Sequence, residues 1–169
     1  YTSWNFPANP TLISGTQFGI TYKGSYVGSM TSVLPATTAT VTKVYPSDSQ
    51  PKVWNVQLRT PTNSLKQKWL TVFDMASTSS NITVLASSAY AIHLAGADGD
   101  QVVAFADTTN ITYQNPNVAA LHVVTGLSSS TSYNVTINSG NVVVTPGVGY
   151  TSTSNGVLTF STNNLGNVI

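Results

Sequence analysis

Short runs of Val, Ile, Tyr, Phe and Thr recur along this chain, each closed by a cluster of Gly, Pro, Asn, Asp or Ser, at intervals of about ten residues. Such runs are too short for helices, and β-branched and aromatic side chains suit a pleated, half-buried surface. The pattern predicts strands near residues 17-22, 26-33, 39-45, 52-58, 68-73, 82-85, 89-94, 101-106, 119-124, 131-137, 141-145 and 156-161. Trp54, Val56 and Leu58 alternate with Val53, Asn55 and Gln57, so one face of that strand meets a core. Asn138-Ser139-Gly140-Asn141 reads as a tight hairpin loop. We therefore expect an all-β chain, an antiparallel β-sandwich of immunoglobulin or jelly-roll type with about 10 to 12 strands.

The first fifteen residues break the rhythm. Pro7 and Pro10 remove ladder donors, while Trp4, Phe6, Leu12 and Ile13 carry large apolar surface. Residues 1-14 are expected to form an N-terminal apolar arm, either an edge strand packed on its own domain or a donor strand given to a neighbouring molecule. Residues 15-169 are expected to form a single sandwich domain.

Charge is scarce. Lys, Arg and Asp together make 7% of the 169 residues, against about 25% in an ordinary soluble domain. Glu and Cys are absent, and 46 Ser and Thr with 15 Asn carry the polarity instead. Six basic side chains are too few to neutralise a run of phosphates, which excludes binding of nucleic acid by counterion release. No apolar stretch is long enough for a membrane-spanning helix. All six basic residues lie between Lys23 and Lys68, and after Asp107 only His122 can take a charge. Sheet edges are commonly defended by Lys, Pro or bulges. The last third lacks the charged form of that defence, so glycans and prolines shield its edges or another chain pairs with them.

Residues able to carry chemistry are few. His93 and His122 sit inside the apolar runs AIHLAG and ALHVVTG. Either could be drawn into a triad with Asp98 or Asp107 and one of many serines, but no nucleophile-elbow motif accompanies them. Both read as strand residues with a hydrogen-bonded ring. Asp98-Gly99-Asp100 reads as a turn, and would hold calcium only if the fold brought Asp74 or Asp107 alongside. We assign no catalytic residue, no cofactor and no metal. Trp54 and Trp69 sit in patterned strands as core residues; Tyr22, Tyr26, Tyr45 and Tyr113 are the candidates for exposed contact with sugars. Acceptor patterns for N-glycosylation occur at Asn81-Ile82-Thr83, Asn110-Ile111-Thr112 and Asn134-Val135-Thr136. With the start at Tyr1, which suggests a processed product or a fragment, they favour an extracellular or cell-surface protein.

Two resemblances follow from particular residues. In GLSSSTSYNVTI, Gly126 to Ile137, Leu127 precedes a small polar turn and Tyr133 opens an alternating strand. This resembles the tyrosine corner of fibronectin type III and related sandwiches, which implies a structural hydrogen bond from the phenol back to the chain. Between Gly24 and Ala76 the chain has a strand ending in Leu34-Pro35 and a Thr/Val strand around Val41-Thr42-Lys43-Val44. A strand bearing Trp54 and the run Trp69-Leu70-Thr71-Val72-Phe73 follow. That order is similar to the C-terminal β-sandwich of heparinase II/III-like polysaccharide lyases. The resemblance implies a shared sandwich fold; in that family the catalytic residues and most substrate contacts come from a helical toroid and a different stretch of sheet, and no helical toroid is encoded here. The reading that follows is a non-enzymatic, self-assembling subunit of an extracellular filament, pilus-like thread or sheath, joined to copies of itself by strand donation. Its alternative is a non-catalytic, carbohydrate-associated module of such a lyase.

Overall fold

A computed structural model describes residues 2-6, 8-14, 16-23, 25-34, 38-44, 53-60, 69-75, 81-85, 90-106 and 109-169. The chain is all-β, and its contacts divide it into two compact units, Tyr1–Ser79 and Ser80–Ile169. Each unit has a core of its own.

The first unit holds β1 (Thr2–Phe6), β2 (Thr11–Ser14), β3 (Gln17–Tyr22), β4 (Ser25–Leu34), β5 (Thr38–Val44), β6 (Val53–Arg59) and β7 (Leu70–Asp74). One sheet runs β1-β6-β5 and the other β2-β3-β4-β7. Phe6, Val56 and Leu58 of the first sheet pack with Phe18 and Met30 of the second, and Trp4, Ile20 and Trp69 flank that core. Val56 and Leu58 are fully buried and Trp54 is half-buried, as the alternation along β6 requires. The residues expected to form one arm are two strands in two sheets. β1 pairs with β6 in the register Thr2↔Leu58 to Phe6↔Trp54, and β2 pairs with β3. Pro10 stands between them, where its missing donor disturbs neither ladder, and Pro7 lies outside the described residues.

The second unit holds β8 (Asn81–Leu85), β9 (Tyr90–Ala95), β10 (Asp100–Phe105), β11 (Ile111–Gln114), β12 (Ala120–Thr125), β13 (Ser132–Asn138), β14 (Asn141–Pro146), β15 (Tyr150–Thr151) and β16 (Leu158–Thr162). Its sheets are β16-β12-β10-β9-β8 and β11-β14-β13-β15. Between them lies a core that includes Val102, Ala104, Val124, Leu158 and Phe160 from one side and Ile111, Tyr113, Tyr133, Val135, Val142 and Val144 from the other. β13 and β14 meet at Asn138↔Asn141, and the two turn residues Ser139 and Gly140 have φ of 47° and 77°. Two successive positive φ angles make the primed turn that matches strand twist.

Among the described residues 16 strands form, where about 10 to 12 were expected. The additions are β1, β2, β11 and β15. One pairing departs from the antiparallel expectation: β10 and β12 run parallel, Asp100↔Ala120 to Phe105↔Thr125. A parallel pair needs a crossover, and here β11, seated in the opposite sheet, supplies it.

Candidate functional site

β12 presents Ala120, His122 and Val124 to the core of the second unit, and Leu121 to the other face. His122 is completely buried. Its Nδ1 lies 2.8 Å from the Tyr113 hydroxyl of β11, and its Nε2 lies 3.1 Å from Thr162 Oγ1 of β16. Thr162 in turn donates to the backbone carbonyl of Val118 at 2.8 Å. A hydroxyl has one proton, so Thr162 must accept from His122 Nε2–H. The neutral ring then keeps Nδ1 as an acceptor for the Tyr113 O–H. The three directed bonds form one chain, in which Tyr113–His122 joins the two sheets and His122–Thr162 joins neighbouring strands of one sheet. The ring is also stacked on Phe160, with centroids 4.7 Å apart and planes 14° apart.

Burial lowers the His122 pKa from its ordinary 6.5 to about 4, with the charge of His93 adding to the effect. Burial also raises the Tyr113 phenol. Both groups are neutral near neutral pH. A hydroxyl beside an imidazole is the beginning of a nucleophile and base, but a cluster with no solvent exposure at His122 offers no place for a substrate. Its chemistry is that of a clamp between sheets.

His93, on β9, is half-buried and its Nε2 lies 3.1 Å from Asp100 Oδ2. Neither histidine meets Asp98, which stands exposed in the turn before β10, where Gly99 N–H donates to the Gly96 carbonyl at 3.2 Å. Asp100 turns to His93 and Asp98 to solvent, so the two acids do not converge. Among the described residues no group of three His, Cys, Asp or Glu is placed to hold a metal ion. Asp74 ends β7 in the first unit, and Asp107 and Tyr45 lie outside the described residues.

Of the tyrosines expected to offer exposed contact, Tyr113 is fully buried, which corrects that expectation. It shares strand parity with Ile111, and both face the core. The backbones of Tyr22 and Tyr26 lie in β3 and β4. Trp54 and Trp69 are half-buried. The arm residues divide. Phe6 is 8% exposed and belongs to the core; Trp4 is half-buried, its ring edge-on to Phe73 at 6.1 Å; Leu12 and Ile13 are 57% and 51% exposed.

At Gly126 to Tyr133 the phenol oxygen of Tyr133 accepts from the Ser128 N–H at 3.0 Å, with Tyr133 and Leu127 both buried. The turn is bound a second time through buried Ser152, whose hydroxyl donates to the Ser128 carbonyl at 2.7 Å and accepts from the Thr131 N–H at 3.0 Å. Gly156 closes the far side at φ 70°, so near the Leu127 carbonyl that a side chain would overlap it. Asn81, Asn110 and Asn134 are all exposed.

Thr162, Ser152 and Gly156 had no signal in the sequence, since each acts through partners on other strands. Among the described residues no helix is long and apolar enough to cross a membrane. Compared with protein-family models, curated proteins and solved structures, the chain matches none of them.

Proposed function

We propose that this chain is a non-enzymatic extracellular structural subunit that joins to copies of itself by exchange of its first strand. The observation that carries the reading is the seat of β1. It is a border strand, bonded on one side to β6 and anchored by Phe6 in the core of the first unit. A neighbour's β1 would make the same bonds and fill the same space, so exchange conserves the contacts and propagates if the subunits do not close a ring. Burying an anchor of the size of Phe6 contributes about 1.5 to 3 kcal/mol, to which the ladder adds specificity. The separation of β1 from β2 by Pro7 to Pro10 supports the exchange, because a proline-stiffened connection favours reaching over folding back. The shortage of ions and the three exposed acceptor asparagines support an extracellular setting.

Light scattering and negative-stain microscopy test this directly. The intact chain should form heat-resistant polymers and the chain lacking residues 1-14 should not; a monodisperse intact monomer at high concentration would overturn the proposal. A second reading, an accessory module of a heparinase II/III-like lyase in contact with polysaccharide, draws support from the outer face of β11-β14-β13. There Gln114, Asn141 and Asn138 stand in one row of amides. Binding on a polysaccharide array that falls when these three are changed to Ala would favour it.

A further inference from the structure

The acceptor motifs at Asn110 and Asn134 fall on the same sheet, and their placement follows from strand geometry. In an extended strand residues i and i+2 share a face. Ile111 and Val135 are buried in the core, which turns Asn110 with Thr112 and Asn134 with Thr136 to the opposite, outer face, where all four are exposed. The register then aligns them. Asn134 pairs with Thr145, and Thr136 and Thr112 both pair with Val143. Continuing the pairing of Ile111 with Val144 by one step sets Asn110 opposite Thr145 as well. The two asparagines thus occupy one cross-strand row on either side of Thr145, two strand spacings or about 10 Å apart.

A second, independent feature points to Asn134. Gly147 has no positive φ angle, so its backbone does not call for glycine. A Cβ there would come within 3.0 Å of Asn134 Cβ. What the glycine supplies is room at the base of the Asn134 side chain. The third feature is the face itself: β11, β13, β14 and β15 contain no charged residue, and ions do not hydrate it.

We infer that the outer face of the β11-β14-β13-β15 sheet is a glycosylated face, bearing N-linked glycans on Asn110 and Asn134 side by side across β14. In the transfer, Asn Nδ2 bonds to the anomeric carbon of a lipid-diphosphate-linked oligosaccharide. The bond from that carbon to the diphosphate oxygen breaks, the lipid diphosphate leaves, and the lost amide proton passes to a base of the transferase. The Thr hydroxyl at i+2 completes the acceptor motif. Transfer precedes folding, because the folded ladder with β14 holds Asn134 to Thr136 extended. The sugars supply the hydration that ions do not, and they keep this face from packing on a neighbour. Asn81 lies on β8 of the other sheet and is outside this pair. The inference stands whether or not β1 exchanges between subunits.

The test is glycopeptide and intact-mass spectrometry on the full chain secreted by cells that carry out N-glycosylation. Peptides containing Asn110 and Asn134 should both carry a hexose-containing adduct, and Thr112→Ala and Thr136→Ala should each remove one adduct from the intact mass. Thr136→Ser should retain it. If a Thr→Ala variant is not secreted, the unsubstituted protein's peptides decide alone. Unmodified Asn110 and Asn134, or sugar found only on Ser and Thr hydroxyls, would overturn the inference.

Discussion

Acidification should loosen the second unit through a single imidazole. In the folded protein His122 titrates at about 4, whereas the unfolded chain presents it at its ordinary 6.5. The unfolded state therefore takes up the proton first as pH falls. The stability conferred by neutral His122 is fully present above pH 6.5, declines between 6.5 and 4, and is gone below 4. A difference of about 2.5 units at 1.36 kcal/mol per unit gives a loss of roughly 3 kcal/mol. The geometry explains where it goes: a proton on Nδ1 turns the acceptor of the Tyr113 hydroxyl into a donor and leaves a charge among Phe160, Tyr113 and Thr162. All three tryptophans lie in the first unit, so their emission reports that unit alone. Hydrogen exchange at β11, β12 and β16 reports the second. Protection in those strands should fall about two hundredfold between pH 7 and 4, after correction for intrinsic exchange, as roughly 3 kcal/mol implies. His122→Phe should be less stable at pH 7 by about 1 to 3 kcal/mol, from the stranded Tyr113 and Thr162 hydroxyls, and should lose most of the pH dependence. An NMR titration placing folded His122 near 6.5, or an equal acid loss in His122→Phe, would refute the reasoning.

Three further outcomes follow from the fold. Tyr133→Phe strands the Ser128 N–H and should lower stability of the second unit by about 1 to 3 kcal/mol, read as a lower midpoint in urea. Gly156→Ala places a Cβ against the Leu127 carbonyl at a positive φ and should cost at least about 1 kcal/mol, with early exchange at Leu127, whose N–H donates to the Gly156 carbonyl. Phe6→Ala empties a seat in the core it shares with Phe18, Met30, Val56 and Leu58 and should cost about 3 to 5 kcal/mol in the first unit, seen as a shift in the tryptophan-monitored transition.

Most strands of five residues or more were legible from their patterning, β1 excepted because Pro7 and Pro10 made its stretch read as an arm, and the paired turn residues Ser139 and Gly140 gave the hairpin directly. β11 escaped notice because Ile111 to Gln114 is only four residues long, hemmed by Asn110 and Asn115-Pro116. Missing it led to Tyr113 being read as exposed. Trp4, Phe6, Leu12 and Ile13 look alike as a set of apolar residues, yet adjacent Leu12 and Ile13 on a border strand with a register shift do not share the buried role of Phe6. At the clamp, the place of His122 in a strand was visible in Ala120-Leu121-His122-Val123-Val124. Its partners were not, since Tyr113 and Thr162 stand 9 and 40 residues away and nothing local pairs them. Division into two units was equally hidden: periodicity reports which face of a strand is buried, and not against which sheet.

The parallel pairing of β10 with β12 sets an order of events for a chain emerging from the ribosome. Neither hairpin closure nor any local turn can bring these two strands together, and β12 gains its other neighbour only when β16 arrives, 40 residues behind His122. Until then the imidazole has only the Tyr113 hydroxyl to hold, and its bond to Thr162 is missing. The second unit must wait as an unfinished ribbon and close late, a schedule that punishes any premature cut before β16.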